Sequence, residues 1–228
     1  MIKTIPYSRQ SINEDDIKAV CEVLRSDWLT QGPKIKEFEE ALAKQCGAKH
    51  CIVVSNGTIA LHLALMALDI ETGDVGVTSP ISFLASSNCI LYCNGKPDFT
   101  DIDPKTLCLS PEGVEEYCRQ HKAPKVVIPV DFSGIPANLP KFKSLSDEYG
   151  FRIIEDAAHS IGSIYSYGGH DYACGSCAHT DMAVFSFHPV KTITTGEGGG
   201  ILTNNDQLAE KIRRLSNHGV ERDSARFI

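Results

Sequence analysis

The apolar and polar positions predict helices first, then an alternation of strands and helices. Asn13 stands as an N-cap ahead of "EDDIKAVCEVLRSD", whose first turn is acidic. Pro33 opens a second helix, "PKIKEFEEALAKQC", and Gly47 closes it. "HCIVVS" (50–55) is a short β-branched strand, and "TIALHLALMAL" (58–68) is apolar nearly all round, as a buried helix is. "VGVTS" (75–79) reads as a weak strand, "ISFLASSNCILYC" (81–93) as a helix with Gly95 beyond it, and "PDFTDID" (97–103) as strand then turn. "SPEGVEEYCRQH" (110–121) begins with a cap and a proline at N1. "KVVIPVD" (125–131) is a strand, "LPKFKSLSDEYG" (139–150) an amphipathic helix stopped by glycine, and "FRIIEDA" (151–157) a strand again. Such alternation with short connections predicts an α/β fold, a mostly parallel sheet flanked by helices. "SIYSYGGHDYACGSCAHTD" (163–181) breaks the rhythm and reads as a long loop, a kind of segment that is often functional.

Composition narrows the classes. A chain of 228 residues forms one sizeable domain, or a domain plus a fragment. A formal charge of −7 leaves no nucleic-acid footprint, so no nucleic-acid partner is expected. It does not exclude an anionic ligand, because backbone N–H groups bind phosphate locally. No apolar run reaches the length of a membrane span, and "MIKTIPYSRQSINEDD" lacks a signal-peptide core. Nine cysteines then read as reduced thiols of a cytoplasmic protein, and residues such as Cys21 and Cys89 as small core side chains. "IRRLSNHGVERDSARFI" leaves a helix with no cap or closing strand after it, which reads as a piece of a longer chain.

Parallel sheets bind ligands beyond the carboxyl ends of their strands. "SNGT" (55–58) opens a helix there and suits either a phosphate or an ordinary cap. Asp156 ends a strand, as a turn former or as the partner of a cationic ring nitrogen. Its neighbour Glu155 must point to the opposite face. Lys191 follows "MAVFSF" and "HPV" and precedes "TITTGEGG". It is either a solvated lysine or an amine held in a pocket, where desolvation makes it nucleophilic toward an aldehyde. The glycines behind it would let main chain pass close to a flat cofactor. Together these features suggest pyridoxal phosphate. His170, Cys174, Cys177 and His179 contain a cysteine pair at metal-ligand spacing, but all four lie in one short segment. They read as part of a loop, with no metal site expected, and His188 reads as structural.

"SNGTIALHLAL", "PISFLASSN", "KPDFTDID", "VVIPVDFSG", "IIEDAAHSIGS", "FSFHPVKTITTGEGGGILTNN" and "RRLSNHG" resemble, in order, the blocks of the pyridoxal-phosphate-dependent sugar aminotransferases of the DegT type. "SDWLTQGPKIKEFEEALA" resembles their opening block, so the likeness spans almost the whole chain. The resemblance implies an aspartate-aminotransferase-like (type I) large domain. Residues 1–228 would hold an N-terminal extension and that domain, with the C-terminal small domain missing.

It also implies roles. Lys191 matches the lysine bonded to the cofactor aldehyde and the proton shuttle, and Asp156 the carboxylate paired with the pyridine nitrogen. Phe83 falls where a ring stacks on the cofactor, and His159 where a polar side chain contacts it. Gly57, Thr58 and Ile59 fall at the phosphate turn, and Ser186 matches a second phosphate ligand. Trp28 and Thr30, in the opening block, would line the sugar side. "FSFHPVKTITTGEGG" looks most like members that make UDP-4-amino-4,6-dideoxy-N-acetyl-β-L-altrosamine on the route to pseudaminic acid. The implied partners are L-glutamate, a UDP-linked 4-keto sugar and a second copy of the chain sharing the active site, with no membrane partner. Another 4-keto or 3-keto sugar acceptor, of perosamine type for example, and a cofactor-binding fragment without turnover are the alternatives. Dehydrating relatives carry histidine in place of the lysine, and Lys191 argues against that reaction. Two departures from the pattern are a longer 163–181 segment and one extra glycine in "GEGGG".

Overall fold

The computed structural model describes residues 5–220. Helix α1 (Glu14–Leu24) starts in a capping box: the Asn13 side chain accepts from the N–H groups of Asp15 and Asp16, and Asp16 accepts from the N–H of Asn13. None of its residues is buried, so Cys21 is only half-covered rather than a core residue. Helix α2 (Pro33–Cys46) has Pro33 in its first turn and ends on Gly47 in the left-handed conformation.

Then come β1 (His50–Val54), α3 (Gly57–Ala67), β2 (Val75–Thr78), α4 (Ala85–Tyr92), β3 (Lys96–Phe99), α5 (Pro111–Gln120) and β4 (Val126–Ile128). They are followed by α6 (Leu139–Tyr149), β5 (Arg152–Asp156), β6 (Ile164–Tyr167), β7 (His170–Ala173), β8 (Met182–Ser186), β9 (Gly199–Thr203) and α7 (Asp206–Leu215). Seven strands form one sheet in the order β1-β9-β8-β5-β4-β2-β3. From β3 to β8 every pairing is parallel, while β9 runs antiparallel between β8 and β1.

Helices cover both faces, as the alternation predicted. Leu61, Leu65 and Ile90 from α3 and α4, with Ile212 of α7, pack on one side of the sheet. Val114, Phe142 and Leu145 from α5 and α6 pack on the other with Phe151 and Ile153. Each such fully buried side chain contributes about 1.5–3 kcal/mol relative to exposure. The central strands are apolar throughout because neither face meets water: Val126, Val127 and Ile128 are all buried.

The 163–181 segment is not the loop its composition suggested. Tyr165 pairs with Tyr172 and Ser166 with Asp171 in a β6–β7 hairpin. Gly168 and Gly169 both have positive φ at its tip, the conformation a two-residue hairpin turn needs. After β7 the chain turns inward and buries Cys174 and Cys177. All nine cysteines are free thiols.

Candidate active site

The carboxyl ends of β5 and β8 meet the N-terminus of α3 around a cavity of about 380 Å³. That size suits a small-molecule ligand. Thr58, Phe83, Asp156, His159, Ser186 and Lys191 all line it.

The α3 end is built by close backbone packing. The Asn56 side chain caps the helix by accepting from the Ile59 N–H at 2.8 Å. The N–H groups of Gly57 and Thr58, in the first turn, have no intrahelical acceptor and are available to an anion. A Cβ on Gly199 would stand 2.5 Å from the carbonyl carbon and oxygen of Asn56, and one on Gly57 2.8 Å from Cβ of Ser186. The absence of a side chain at Gly199 therefore lets β9 lie against this turn. Ile59 departs from its expected place. Its N–H is taken by Asn56, and its side chain lines a different hollow, beside β1 and Arg213.

Asp156 is 5% exposed at the end of β5. Its Oδ2 accepts from the Ser86 hydroxyl at 2.7 Å and its Oδ1 from the Ala158 N–H at 3.2 Å. Lys191 is half-buried on the same cavity wall. Burial lowers its pKa from the ordinary lysine value, and the charge of Asp156 opposes that shift. His159 is lowered too, by burial first and then by Lys191, against the pull of Asp156. Its Nδ1 accepts from the Ser133 N–H at 3.3 Å, and Ser133 reaches that position in the left-handed conformation, φ 55. The neutral imidazole thus carries its proton on Nε2. Phe83 is 70% exposed at the rim. His188, read as structural, also lines the cavity.

Trp28 and Thr30 are not brought into this cavity. The turn from α1 to α2 closes through Ser26, whose oxygen accepts from the Trp28 N–H, and both residues line a separate hollow there. Among the described residues, no three of His170, Cys174, Cys177 and His179 come together as a group that could hold a metal ion. The Cys177 thiol donates to the Leu202 carbonyl, and His179 Nδ1 pairs with the Tyr165 hydroxyl.

Behind the cavity lies a pair that sequence reading missed. Glu155 points away from Asp156, accepts from the Gly175 N–H at 3.1 Å and faces Asp131. Asp131, fully buried, accepts from the Ala137 N–H at 2.8 Å and the Ser160 hydroxyl at 2.6 Å. Two carboxylates side by side out of water cannot both ionise. Burial, then the charge of Asp131, pushes Glu155 well above the usual carboxylate range, and burial raises Asp131 as well, so the pair shares one proton.

A raised carboxyl pKa means that the folded state binds more protons than the unfolded one. Stability is therefore greatest below the unfolded value and falls as pH rises toward the folded one, by about 1.4 kcal/mol per pH unit for one proton. Glu155→Gln mimics the protonated acid and should remove that decline. Thermal melting from pH 5 to 9 checks this: wild type and variant falling in parallel would refute the shared proton.

The cavity fits pyridoxal phosphate. Two free N–H groups and the hydroxyls of Thr58 and Ser186 suit its phosphate, a buried carboxylate suits a protonated ring nitrogen, and an amine of lowered pKa suits its aldehyde.

A model of the DegT/DnrJ/EryC1/StrS aminotransferase family matches residues 10–228. The structure is similar to Helicobacter pylori PseC, an aminotransferase involved in the biosynthesis of pseudoaminic acid. The TM-score is 0.87 at 30% identity, over 97% of this chain and 58% of that one. It is also similar to NtdA from Bacillus subtilis with bound cofactor PMP, with TM-score 0.81 and 29% identity over 93% of this chain and 47% of that one. A third likeness is to DesI in the presence of its TDP-sugar product, with TM-score 0.81 and 29% identity over 94% of this chain and 53% of that one. The chain thus spans about half the length of these proteins, 47–58%.

Proposed function

We propose, from the premise that this chain belongs to the DegT/DnrJ/EryC1/StrS aminotransferase family, that it binds pyridoxal phosphate and moves an amino group to the keto carbon of a nucleotide-linked sugar. The observation carrying this is that Lys191 and Asp156 line one cavity together with the open N-terminal turn of α3. The donor is L-glutamate, and the acceptor is C4 of a 4-keto-6-deoxy UDP-amino sugar of the pseudaminic acid type. The likeness of the lysine block and of the PseC fold supports that acceptor. Residues 1–228 make up the N-terminal extension and large cofactor-binding domain of such an enzyme. A second copy completes the site, which suits the exposure of Phe83 at the cavity rim. Nine free thiols suit a reducing, cytoplasmic setting.

When bound, pyridoxal phosphate supplies an aldehyde that captures amines and a ring that takes up the electron pair released at the substrate carbon. The residues do the rest. Gly57 and Thr58 N–H groups, with the Thr58 and Ser186 hydroxyls, anchor the phosphate. Asp156 keeps a proton on a cationic ring nitrogen by a charge-assisted bond. His159 presents a neutral Nε2–H donor. Lys191, with more of its amine neutral at pH 7 than an exposed lysine has, is both nucleophile and proton carrier at the substrate carbon. Phe83 shields the site from water at the rim.

The test is a half-reaction with the cofactor-loaded protein. Glutamate should convert its visible absorbance to that of the amino form, and UDP-linked 4-keto sugars should reverse the change. Reversal by 3-keto sugars alone would move the acceptor carbon. No conversion with any amino donor would reduce the function to cofactor binding.

A further inference from the structure

The mechanism leaves two buried or half-buried hydroxyls, one on the cavity wall and one behind it, unused. Ser86 is fully buried in the first turn of α4 and donates to Asp156 Oδ2 at 2.7 Å. Ser82, one helical turn earlier and on the cavity wall, lies 2.6 Å from the Ser86 oxygen. A serine hydroxyl has a single proton. Since that of Ser86 goes to the carboxylate, Ser82 must donate to Ser86. The chain of donors therefore runs from the cavity wall to Asp156 in one direction.

Such a chain bears on where a proton rests. Between a carboxylate and a pyridine nitrogen, the proton goes to the more basic partner. A donor to a carboxylate oxygen stabilises the anion and makes it the weaker base. Cooperative polarisation by Ser82 strengthens that donor. Among the described residues, Lys191, His159 and the Cys89 thiol are the other titratable groups whose electrostatics involve Asp156. None of them bonds to its oxygens: those bonds come from Ser86 and the Ala158 N–H.

We infer that Ser82 and Ser86 are positioning residues, a hydroxyl relay that orients and polarises the Asp156 carboxylate so that the proton stays on the ring nitrogen of the bound cofactor. The inference rests on the cofactor reading above.

The experiment loads wild type, Ser86→Ala, Ser86→Thr and Ser82→Ala with pyridoxal phosphate carrying ¹⁵N in its ring. The nitrogen chemical shift and the cofactor Kd are measured, with circular dichroism as the folding control. Wild type should show a protonated ring. Ser86→Ala should move the shift toward the unprotonated form and weaken binding about tenfold. Ser86→Thr, which keeps the hydroxyl, should restore both. Ser82→Ala should give a smaller change of the same sign, and it carries the test if Ser86→Ala does not fold. Identical nitrogen shifts in wild type and the alanine variants would overturn the relay while leaving the cofactor site intact. A threonine variant that behaves like alanine would also overturn it, because packing alone would then explain the loss. Failure of wild type to bind the cofactor would overturn the functional reading itself.

Discussion

Replacing Lys191 by alanine should abolish covalent cofactor capture and lower amino transfer by about 10⁴-fold or more, since one side chain supplies both the nucleophile and the proton carrier. Borohydride reduction followed by peptide mass spectrometry reads the capture directly. Wild type should retain the cofactor on the peptide that contains Lys191, and Lys191→Ala should retain none. Lys191→Arg separates charge from reactivity. Arginine keeps the positive charge but never presents a neutral amine, so it should be as inactive as alanine. A second consequence follows from the electrostatics. Lys191 is one cause of the lowered His159 pKa, so the alanine variant should let the imidazole titrate at higher pH while the arginine variant holds it down. Folding should change little, because the Lys191 main chain bonds to the His188 carbonyl whatever the side chain. Covalent capture at another lysine, or transfer retained by the arginine variant, would remove Lys191 from the chemistry.

Much of this architecture was legible because local signals agreed with the fold. Asn13, Pro33, Gly47 and Gly150 punctuate helices where the structure begins or ends them. The run from β1 to β5 alternates as a parallel sheet must. The 163–181 segment was misread because its composition outweighed its spacing. "IYSYGGHDYA" carries a Gly-Gly turn between two aromatic-rich arms, a hairpin signal that Ser, His and Cys masked. Strand β9 was hidden for a related reason: its first two residues are glycines, weak strand formers, and the first is placed there by its close approach to Asn56. At the site, Lys191, Asp156, Phe83, His159, Ser186 and Thr58 were singled out and do share a cavity. Ile59, Trp28 and Thr30 were singled out and do not line it. What sequence could not reveal is what lies behind the first layer. The contacts of Ser86 with Asp156, and of Asp131 with Glu155, join residues 70 and 24 positions apart, and no periodicity encodes such meetings.

Asp156→Asn should lower amino transfer by about 10³-fold with a smaller loss of cofactor affinity, about tenfold, because the charge matters more to the reaction than to binding. Asparagine keeps the shape and can still accept from Ser86 or the Ala158 N–H, so the fold and the orientation of the side chain survive. The anion is lost, and with it the reason for a proton to stay on the ring nitrogen. Asp156 also raises the Lys191 pKa against the effect of burial. Its removal should leave more of the lysine neutral, so covalent capture should persist while transfer fails. This pattern is the reverse of Lys191→Ala, in which capture fails as well. A double-mutant cycle closes the case. If Ser86 acts only through the carboxylate charge, Ser86→Ala should cost far less transfer activity in the Asp156→Asn background than in wild type. Independent, additive losses would mean that the hydroxyl serves packing, and that the charge of Asp156 stands without its help.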